Sequence, residues 1–179
     1  MIEVEHFGGT ESEWDSFAAR QKGYTHFHRY RWRELMQRVF GHECVYLVAR
    51  ENDRIEAVLP LVRVKSILFG HFLVSMPFLN YGGPLGTDAG IRALCADAVA
   101  LATRNRVRLL ELRSRVPLDI DLPVSHRKIT VVLDLIPAPD AMFKRFDAKL
   151  RSQIRRPQKE GATVQFGPEQ VEPFFRIFA

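Results

Sequence analysis

Residues 44–64 constrain the fold more than any other stretch of this sequence. Two runs rich in β-branched and aromatic residues, CVYLVAR and IEAVLPLVRV, flank a short polar turn that ends in Asn52-Asp53. Such runs favour strands, and a short turn between them favours a β-hairpin. Pro60 lies inside the second run, where it cannot donate a ladder hydrogen bond, and so predicts an edge position or a bulge. A chain with this feature is expected to build an antiparallel sheet around it.

The rest of the chain alternates helical and strand patterns. Apolar residues spaced three and four apart predict helices over 11–21, 26–40, 88–105 and 141–159. Alternating or β-branched runs predict further strands over 2–4, 69–79, 107–112, 128–135 and 162–166. We expect Thr10 or Ser12 to cap the first helix, Gly41 to end the second, and Thr87 or Asp88 to cap the third. This order predicts an α+β or mixed α/β fold, with a mixed twisted sheet flanked by helices.

Composition and charge exclude several classes of protein. The chain has 179 residues, of which 46% are hydrophobic, so it is long enough for one ordinary domain or one domain and part of another. A net charge of +5 permits an anionic partner such as a nucleotide, a nucleic acid or a phosphorylated carrier. Cys44 and Cys95 lack metal-ligand spacing and are expected to be reduced, packed thiols. No apolar segment approaches the roughly 20 residues of a membrane span, and the N-terminus has no signal-peptide pattern, so we predict a cytoplasmic protein. Because the cysteines lack metal-ligand spacing, we predict no metal site.

The last six residues are unusually apolar. Phe174, Phe175, Ile177 and Phe178 would have no purpose in a solvated tail. The sequence therefore predicts the first turns of a helix that belongs to a further domain, and a chain that is a fragment of a longer protein. If exposed, these side chains would form an apolar patch and favour self-association.

Three segments together carry a family likeness. They are FHRYRWRELMQRVFGHECVYLVARENDRIEAVLPLVRV, FLVSMPFLNYGGPLG and LRSQIRRPQKEGATVQFG. This succession resembles the FemAB-like branch of the acyltransferase superfamily, and is most similar to FemAB-related proteins found beside exosortase and exopolysaccharide genes. The resemblance extends over nearly the whole chain.

The resemblance implies a fold and a reaction. FemAB-like proteins carry two GNAT-like domains in tandem, so residues 1–160 would form the first domain and residues 161–179 would begin the second. Known members transfer an amino acid from aminoacyl-tRNA to a peptidoglycan precursor, and relatives are acetyltransferases that use acyl-CoA. The first domain would mainly bind the acceptor, a nucleotide- or lipid-linked envelope precursor, while the acyl-donor channel belongs largely to the second domain. No tightly bound cofactor is expected.

A glycine-rich stretch before the third predicted helix has two interpretations. In Fem-like proteins a loop with a Tyr/Arg-Gly-Pro-x-x-Asp pattern contacts the acceptor, and here Tyr81, Gly83, Pro84 and Asp88 approximate that pattern, with Gly82 beside them. Simple phosphate binding is disfavoured because Asp88 is an anion and Pro84 lacks an amide donor. The alternative is an ordinary strand-to-helix turn with a capped helix.

A second candidate region lies at the start of the second predicted helix. In the family this region contributes a Lys and a Trp near the acceptor. Trp32 matches the Trp, while the Lys is replaced by a choice of His28, Arg29 or Arg31. An arginine here would pair with a diphosphate through two hydrogen bonds. The alternative is an amphipathic helix start with a buried Trp32.

The predicted helix over 141–159 is the strongest charge feature of the chain. Its cations are Lys144, Arg145, Lys149, Arg151, Arg155, Arg156 and Lys159. It would face a tRNA acceptor stem or a nucleotide diphosphate, or else be a solvated basic helix that joins two domains. Lys149, Arg151, Arg155 and Arg156 are the candidate contacts, and Pro157 is expected to bend or end the helix just after Arg156.

Glu111, near the end of a predicted strand, is a weak candidate for the general base. A strand carboxylate can accept a proton from an amine nucleophile when burial raises its pKa. The alternative is an ion pair between Glu111 and Arg113. The sequence thus favours an N-acyltransferase-type domain in which an amine or hydroxyl attacks a thioester or aminoacyl ester. The alternative is a non-catalytic module that binds a precursor or RNA and is inactive without the second domain.

Overall fold

The computed structural model describes residues 1–66, 70–126 and 129–178. Two compact units divide the chain, unit 1 (Met1–Pro123) and unit 2 (Val124–Ala179). Unit 1 holds a mixed sheet flanked by helices, so the predicted mixed α/β class is confirmed. The predicted domain limits at 160 and 161 stay a prediction.

Unit 1 contains six strands and three α-helices within the described residues. The strands are β1 (Glu3–His6), β2 (Glu43–Glu51), β3 (Arg54–Ser66), β4 (Gly70–Ser75), β5 (Leu85–Gly86) and β6 (Leu109–Glu111). The helices are α1 (Glu11–Ala18), α2 (Trp32–Arg38) and α3 (Asp88–Arg104), with a 3-10 turn (His26–His28) before α2.

Short polar side chains begin two of these helices, as the sequence predicts. The Thr10 side chain accepts a hydrogen bond from the Glu13 amide at 3.2 Å, and that of Thr87 accepts one from the Gly90 amide at 3.2 Å. Gly41, in the left-handed conformation at φ 65°, follows the end of α2. Each device satisfies backbone groups that the helix itself leaves unpaired.

Two predicted boundaries differ most from the structure, while α1 ends at Ala18 instead of residue 21 and β6 covers only Leu109–Glu111 of the predicted 107–112. The second helix begins at Trp32 rather than at residue 26, because the 3-10 turn is followed by Arg29 in an extended conformation with ψ 139°. The fourth strand, β4, ends at Ser75 rather than at residue 79, because Met76 and Phe78 adopt left-handed backbones with φ 54° and 67°. The predicted start of that strand, Phe69, lies outside the described residues.

The sheet is built on the predicted hairpin. β2 and β3 pair antiparallel, and the strand order is β1-β2-β3-β4-β6, with β5 paired to β3 as well. Strands β1 to β4 are antiparallel neighbours, whereas β4 and β6 are parallel and are joined through α3. Because a parallel connection needs a crossover, α3 is the element that makes the sheet mixed.

Pro60 lies in the middle of the sheet, not at an edge or a bulge as predicted. Its partner in β2 is Tyr46, whose carbonyl accepts a hydrogen bond from the amide of Phe7, the residue after β1, so this pair is not hydrogen-bonded within the hairpin. The other side of β3 pairs with β5 up to Val58 and with β4 from Leu61 onward. Pro60 therefore stands where β3 changes neighbours, and no ladder bond is lost.

β2 is buried on both faces, which explains its continuous apolar run. One face contributes Cys44, Tyr46 and Val48 to a core cluster that includes Trp14 and Met36. The other face contributes Val45, Leu47 and Ala49 to a cluster that includes Leu94 and Ala98. Helices α1 and α2 thus cover one face of the sheet, and α3 covers the other.

Unit 2 contains α4 (Pro139–Arg145), α5 (Ala148–Lys159) and α6 (Val171–Phe178). The prediction of a single helix over 141–159 was wrong, because Phe146 is extended. A new helix starts after Asp147, whose side chain accepts a hydrogen bond from the Leu150 amide at 2.8 Å. Pro157 does not end α5, which continues to Lys159.

Two predicted strands are absent from unit 2. Residues 129–135 and 162–166 have no strand in the part of the chain that the structure describes, and Lys128 lies outside it. A strand is defined by ladder partners, and neither segment pairs with another among the described residues. The β-branched composition was therefore not sufficient.

Candidate functional site

The chain between β4 and α3, residues 76–87, forms a loop that we call the glycine loop. It contains Tyr81, which is half-buried, and the short strand β5, which pairs with β3. Gly86 has φ 144°, and a Cβ at that position would lie 2.1 Å from the Glu56 carbonyl oxygen. The loop therefore returns to the sheet before α3 begins.

Gly82 and Gly83 allow close packing within the loop. Their amides donate to the Arg113 carbonyl at 3.0 and 2.9 Å. A Cβ on Gly82 would lie 2.5 Å from Met76 Cγ, and one on Gly83 would lie 2.7 Å from Ser114 Cα. Both amides are thus occupied inside the protein, so these glycines are explained by the close approach of two backbone segments.

Arg113 fastens the first half of the glycine loop to the end of β6. Its guanidinium donates to the Leu79 carbonyl at 2.7 Å and to the Met76 carbonyl at 3.4 Å. Its backbone amide donates to the hydroxyl of the buried Ser75 at 2.7 Å. The side chain and both backbone groups of this one residue therefore shape the turn that follows β4.

The pairing expected as the alternative role for Glu111 is present. Arg113 Nε donates to Glu111 Oε1 at 3.0 Å, and its Nη2 donates to Oε2 at 3.2 Å. Both carboxylate oxygens are thereby engaged by one planar guanidinium, which is the strong, directional form of an ion pair. A role for Glu111 as general base stays a prediction, and it would require this pair to open.

His28 joins the second candidate region to the glycine loop. Its side chain is buried, and its Nδ1 accepts from the Thr25 amide at 3.1 Å. Nδ1 as an acceptor leaves the proton on Nε2, which lies 3.1 Å from the Gly83 carbonyl and donates to it. Burial lowers the pKa of His28, although the bonds to Thr25 and Gly83 act in the other direction. The ring is therefore neutral and holds the loop, with its polar atoms turned away from solvent.

Trp32 and Arg31 line an open groove on the surface of unit 1. The described residues that line it are His26, Arg29, Arg31, Trp32, Glu34, Leu35, Arg38 and Val39. Trp32 is half-buried, and its Nε1 donates to the His26 carbonyl at 3.0 Å, which fixes the indole. The aromatic wall is therefore preformed.

The arginines of this groove differ in their partners. Arg29 pairs with Asp15 at 3.4 Å, and Arg38 pairs with Glu34 at 2.6 Å and holds the pKa of that carboxyl below its usual value. Arg31 is exposed and has no ion pair among the described residues. Arg31 is thus the groove cation best placed to take an anion from solution.

The remaining candidates lie at the start of α3 in unit 1 and on α5 in unit 2. Asp88 is exposed in the first turn of α3, where a carboxylate is stabilised by the helix dipole. The basic candidates Lys149, Arg151, Arg155 and Arg156 lie on α5 in unit 2. Arg155 lies over the Phe143 ring at 4.8 Å, Arg156 pairs with Glu160 at 2.8 Å, and Arg151 donates to the Phe146 carbonyl. Lys149 is exposed.

Nucleophile and metal chemistry find little support in the described residues. Cys44 and Cys95 are free and buried, and burial raises the pKa of each thiol to about 11. A thiol with so high a pKa is protonated at neutral pH and is a poor nucleophile. No group of three or more His, Cys, Asp or Glu side chains suited to a metal ion is found where the structure describes the chain.

Sequence reasoning missed two features of the site. The fastening role of Arg113 was not expected, because a hydrogen bond between residues 34 positions apart leaves no local pattern. The second feature is the surface around Phe40 and Phe78, whose rings stack with centroids 4.7 Å apart. The only sequence signal for this surface was that Phe40 and Phe78 lie close to predicted turn residues.

Comparisons of the sequence with known proteins do not assign it to a family. The sequence matches no protein-family model, and no curated protein is significantly similar to it. Among the described residues, no helix has both the length and the apolar character needed to cross a bilayer.

Proposed function

We propose that this chain is the acceptor-binding part of a FemAB-like acyl or aminoacyl transferase with a GNAT-like fold. The observation that carries the proposal is the bond between His28 and Gly83, which ties the glycine loop to the segment that lines the Arg31–Trp32 groove. The two regions that the resemblance assigns to the acceptor are therefore neighbours in the folded unit.

The chemistry of the groove suits a sugar nucleotide or a lipid-linked sugar diphosphate. Arg31 would bind a phosphate through paired N–H groups, and Trp32 would present a fixed aromatic face to a sugar ring. Tyr81 would stack on or donate to the sugar, and Asp88 would accept from a hydroxyl or an amine. These roles position the acceptor and need no metal or tightly bound cofactor.

The transfer would proceed by direct attack. An amine or hydroxyl of the acceptor forms a bond to the carbonyl carbon of a CoA thioester or an aminoacyl ester. The thiol of CoA or the 3′-hydroxyl of the tRNA leaves, and the proton of the nucleophile passes to a base or to water. Glu111 is the weak candidate for that base, and preorganised donors to the carbonyl oxygen would supply the remaining stabilisation.

A second candidate function is supported by α5 in unit 2. Its arginines and lysines are mostly exposed, and a run of cations on one short helix suits a phosphate backbone. On this alternative the chain binds a nucleotide-linked precursor or an RNA and transfers nothing.

Calorimetric titration of the whole chain with a UDP-linked amino sugar, acetyl-CoA and bulk tRNA at two salt concentrations tests both candidates. We expect saturable binding of the UDP-sugar that weakens about 10- to 100-fold in Arg31→Ala, because a hydrogen bond to a charged group contributes about 1.5–3 kcal/mol. Arg92→Ala is the matched control, since Arg92 is a half-exposed arginine of unit 1 whose partner is Asp119.

Three outcomes would contradict the proposal. Saturable acetyl-CoA binding would make this chain the donor site. Binding of tRNA alone, lost with salt and in Lys149→Ala/Arg155→Ala, would favour the second candidate. Equal loss of UDP-sugar affinity in Arg31→Ala and Arg92→Ala would show that only net charge matters.

A further inference from the structure

A small pocket of about 220 Å³ lies between the start of α1 and α2, and we call it the arginine pocket. The described residues that line it are Glu11, Tyr30, Arg31, Arg33, Glu34 and Gln37. Because one water takes up about 30 Å³ of the liquid, this volume suits about seven waters or one molecule the size of an amino acid. Larger ligands need pockets of about 300 Å³ or more. The arginine pocket is therefore a different kind of site from the groove, although Arg31 borders both.

Arg33 places a half-buried charge in this pocket. Its guanidinium lies over the rings of Tyr30 and Tyr46, 5.6 and 5.9 Å from their centroids, and its Nη1 donates to the Tyr30 hydroxyl. Its Nε is buried and has no hydrogen-bond partner among the described residues. The tyrosine rings attract the cation, but they leave most of its five N–H groups without an acceptor. A carboxylate ligand would supply the missing acceptors.

Arg63 shows by comparison what Arg33 lacks. Both arginines have a buried Nε without a partner in the part of the chain that the structure describes. Arg63, however, pairs with Glu43 at 2.9 Å, whereas Arg33 forms no ion pair within the described residues. Removing a charge from water without an ionic partner costs free energy. The environment of Arg33 is therefore incomplete in a way that an anionic ligand would correct.

One carboxylate beside the arginine pocket is available for a cation. Asp15 is already paired with Arg29 at 3.4 Å, and Glu34 is paired with Arg38 at 2.6 Å. Glu11 lines the pocket from α1, is exposed, and has no ion pair among residues 1–66, 70–126 and 129–178. The pocket thus offers an unpaired guanidinium on α2 and an unpaired carboxylate on α1.

The charges of the lining decide which class of ligand fits. Two arginines and two glutamates line the arginine pocket, so their formal charges cancel. A phosphate or a simple carboxylate would be attracted by Arg33 but repelled by Glu11. A small ligand that carries both a carboxylate and an ammonium would satisfy the two side chains, which do not pair with each other. We propose that the arginine pocket binds a free α-amino acid, with its carboxylate on Arg33 and its ammonium on Glu11. This inference does not depend on the proposed transferase function.

Saturation-transfer NMR of the full chain with each of the twenty standard amino acids tests this inference. We expect saturable binding of at least one of them at neutral pH. The α-amide of that amino acid lacks the carboxylate, and its N-acetyl derivative lacks the ammonium. Each derivative should bind at least about tenfold more weakly, because each loses a hydrogen-bonded contact between charged groups.

Two variants assign the contacts. Arg33→Met keeps an unbranched side chain against the tyrosine rings but removes the charge, so it should abolish the preference for the amino acid over its α-amide. Glu11→Gln changes an exposed side chain and should abolish the preference for the amino acid over its N-acetyl derivative. The matched controls are Arg63→Met and Glu3→Gln, and both should leave the affinities unchanged. Glu3 is an exposed glutamate of β1.

Three results would overturn the inference. The first is a lack of saturable binding by all twenty amino acids. The second is equal affinity of the unaltered chain for an amino acid and its α-amide, because the carboxylate would then have no role. The third is an energetic coupling between Arg33→Met and Glu11→Gln in urea unfolding without amino acid, because it would show that the two side chains pair with each other.

Discussion

Both β2 and residues 129–135 have the composition of a strand, but only β2 forms one. Both are rich in β-branched or aromatic residues, CVYLVAR in one and ITVVLDL in the other. β2 has a partner on each side and is buried on both faces. In 129–135, by contrast, Ile129 is 88% and Leu135 is 81% exposed, and no strand forms. The difference teaches that β propensity is expressed only where the fold supplies ladder partners and a covering layer.

The units that contain these segments differ in the same way. Unit 1 buries both faces of its sheet, whereas Met142 is the one buried apolar side chain among the described residues of unit 2. Large apolar side chains on α6 are 60–90% exposed, including both Phe174 and Ile177. Hydrophobic burial is the main favourable term in folding, so unit 1 should account for most of the stability of the chain.

Amide hydrogen exchange should show the largest contrast. We expect amides of β2 and β3 to exchange at least about 10³-fold more slowly than those of 129–135, because core strands open only with global unfolding. Mass spectrometry of peptic peptides measures this directly. Equal protection of the two segments would mean that 129–135 has partners in solution, and the comparison would fail.

The next largest contrast should come from truncating a buried side chain in unit 1 and an exposed one in unit 2. Leu59 is fully buried in the sheet, so Leu59→Ala should lower the free energy of unfolding by about 2–5 kcal/mol. Leu133→Ala, at a side chain that is 52% exposed, should change it by less than about 0.5 kcal/mol. Urea unfolding followed by far-ultraviolet circular dichroism, which reports on helices and strands of both units, is the measurement. A similar loss in both variants would show that unit 2 has a core of its own.

Replacing one arginine in each unit compares the free energy that polar contacts contribute to the two units. Arg113→Leu should cost about 1–3 kcal/mol, because it leaves the Leu79 carbonyl and the Glu111 carboxylate without their donor. Arg156→Ala in α5 should cost at most about 0.5 kcal/mol, since its pair with Glu160 is largely exposed. Arg113→Lys should recover only part of the loss, because Lys cannot form the fork. Equal costs in urea unfolding would refute the fastening role of Arg113.

The smallest expected effect is a pH dependence from His28. Burial lowers the pKa of His28 in the folded chain, while the unfolded chain takes up a proton below about pH 6.5. The unfolded state therefore binds more protons in that range, and stability should fall with falling pH by at most about 1.4 kcal/mol per unit.

Two substitutions isolate this contribution. His28→Gln should remove that part of the slope, and His126→Gln, which changes an exposed histidine of unit 2, should leave it intact. Urea unfolding at several values between pH 5 and 7 checks this. An unchanged slope in His28→Gln would mean that other groups cause the dependence.

Much of unit 1 could be predicted from local patterns. The hairpin, the helix over 88–105 and the capping roles of Thr10 and Thr87 depend on contacts within a few residues, and each is present in the structure. The position of Pro60 could not be predicted, because it depends on where β3 exchanges one neighbour for another. The split of the basic helix at Asp147 was missed because a cap competes with helix continuation by a small margin.

For the candidate site too, local patterns could be predicted and long-range contacts could not. The resemblance singled out Trp32, Arg31 and Gly83, and the spacing of Glu111 and Arg113 on a predicted strand suggested their ion pair, which is present. That His28 would face inward and hold Gly83, 55 positions away, followed from no local signal.

The sequence by itself determined which segments of this protein prefer helix, strand or turn, since those preferences come from covalent geometry and near neighbours. Only the tertiary structure decided which strand-prone segments found partners. It also decided that Arg113 and His28 hold the glycine loop and that Phe78 faces solvent. These outcomes depend on contacts between distant residues, whose free energy exists only once the whole unit has assembled.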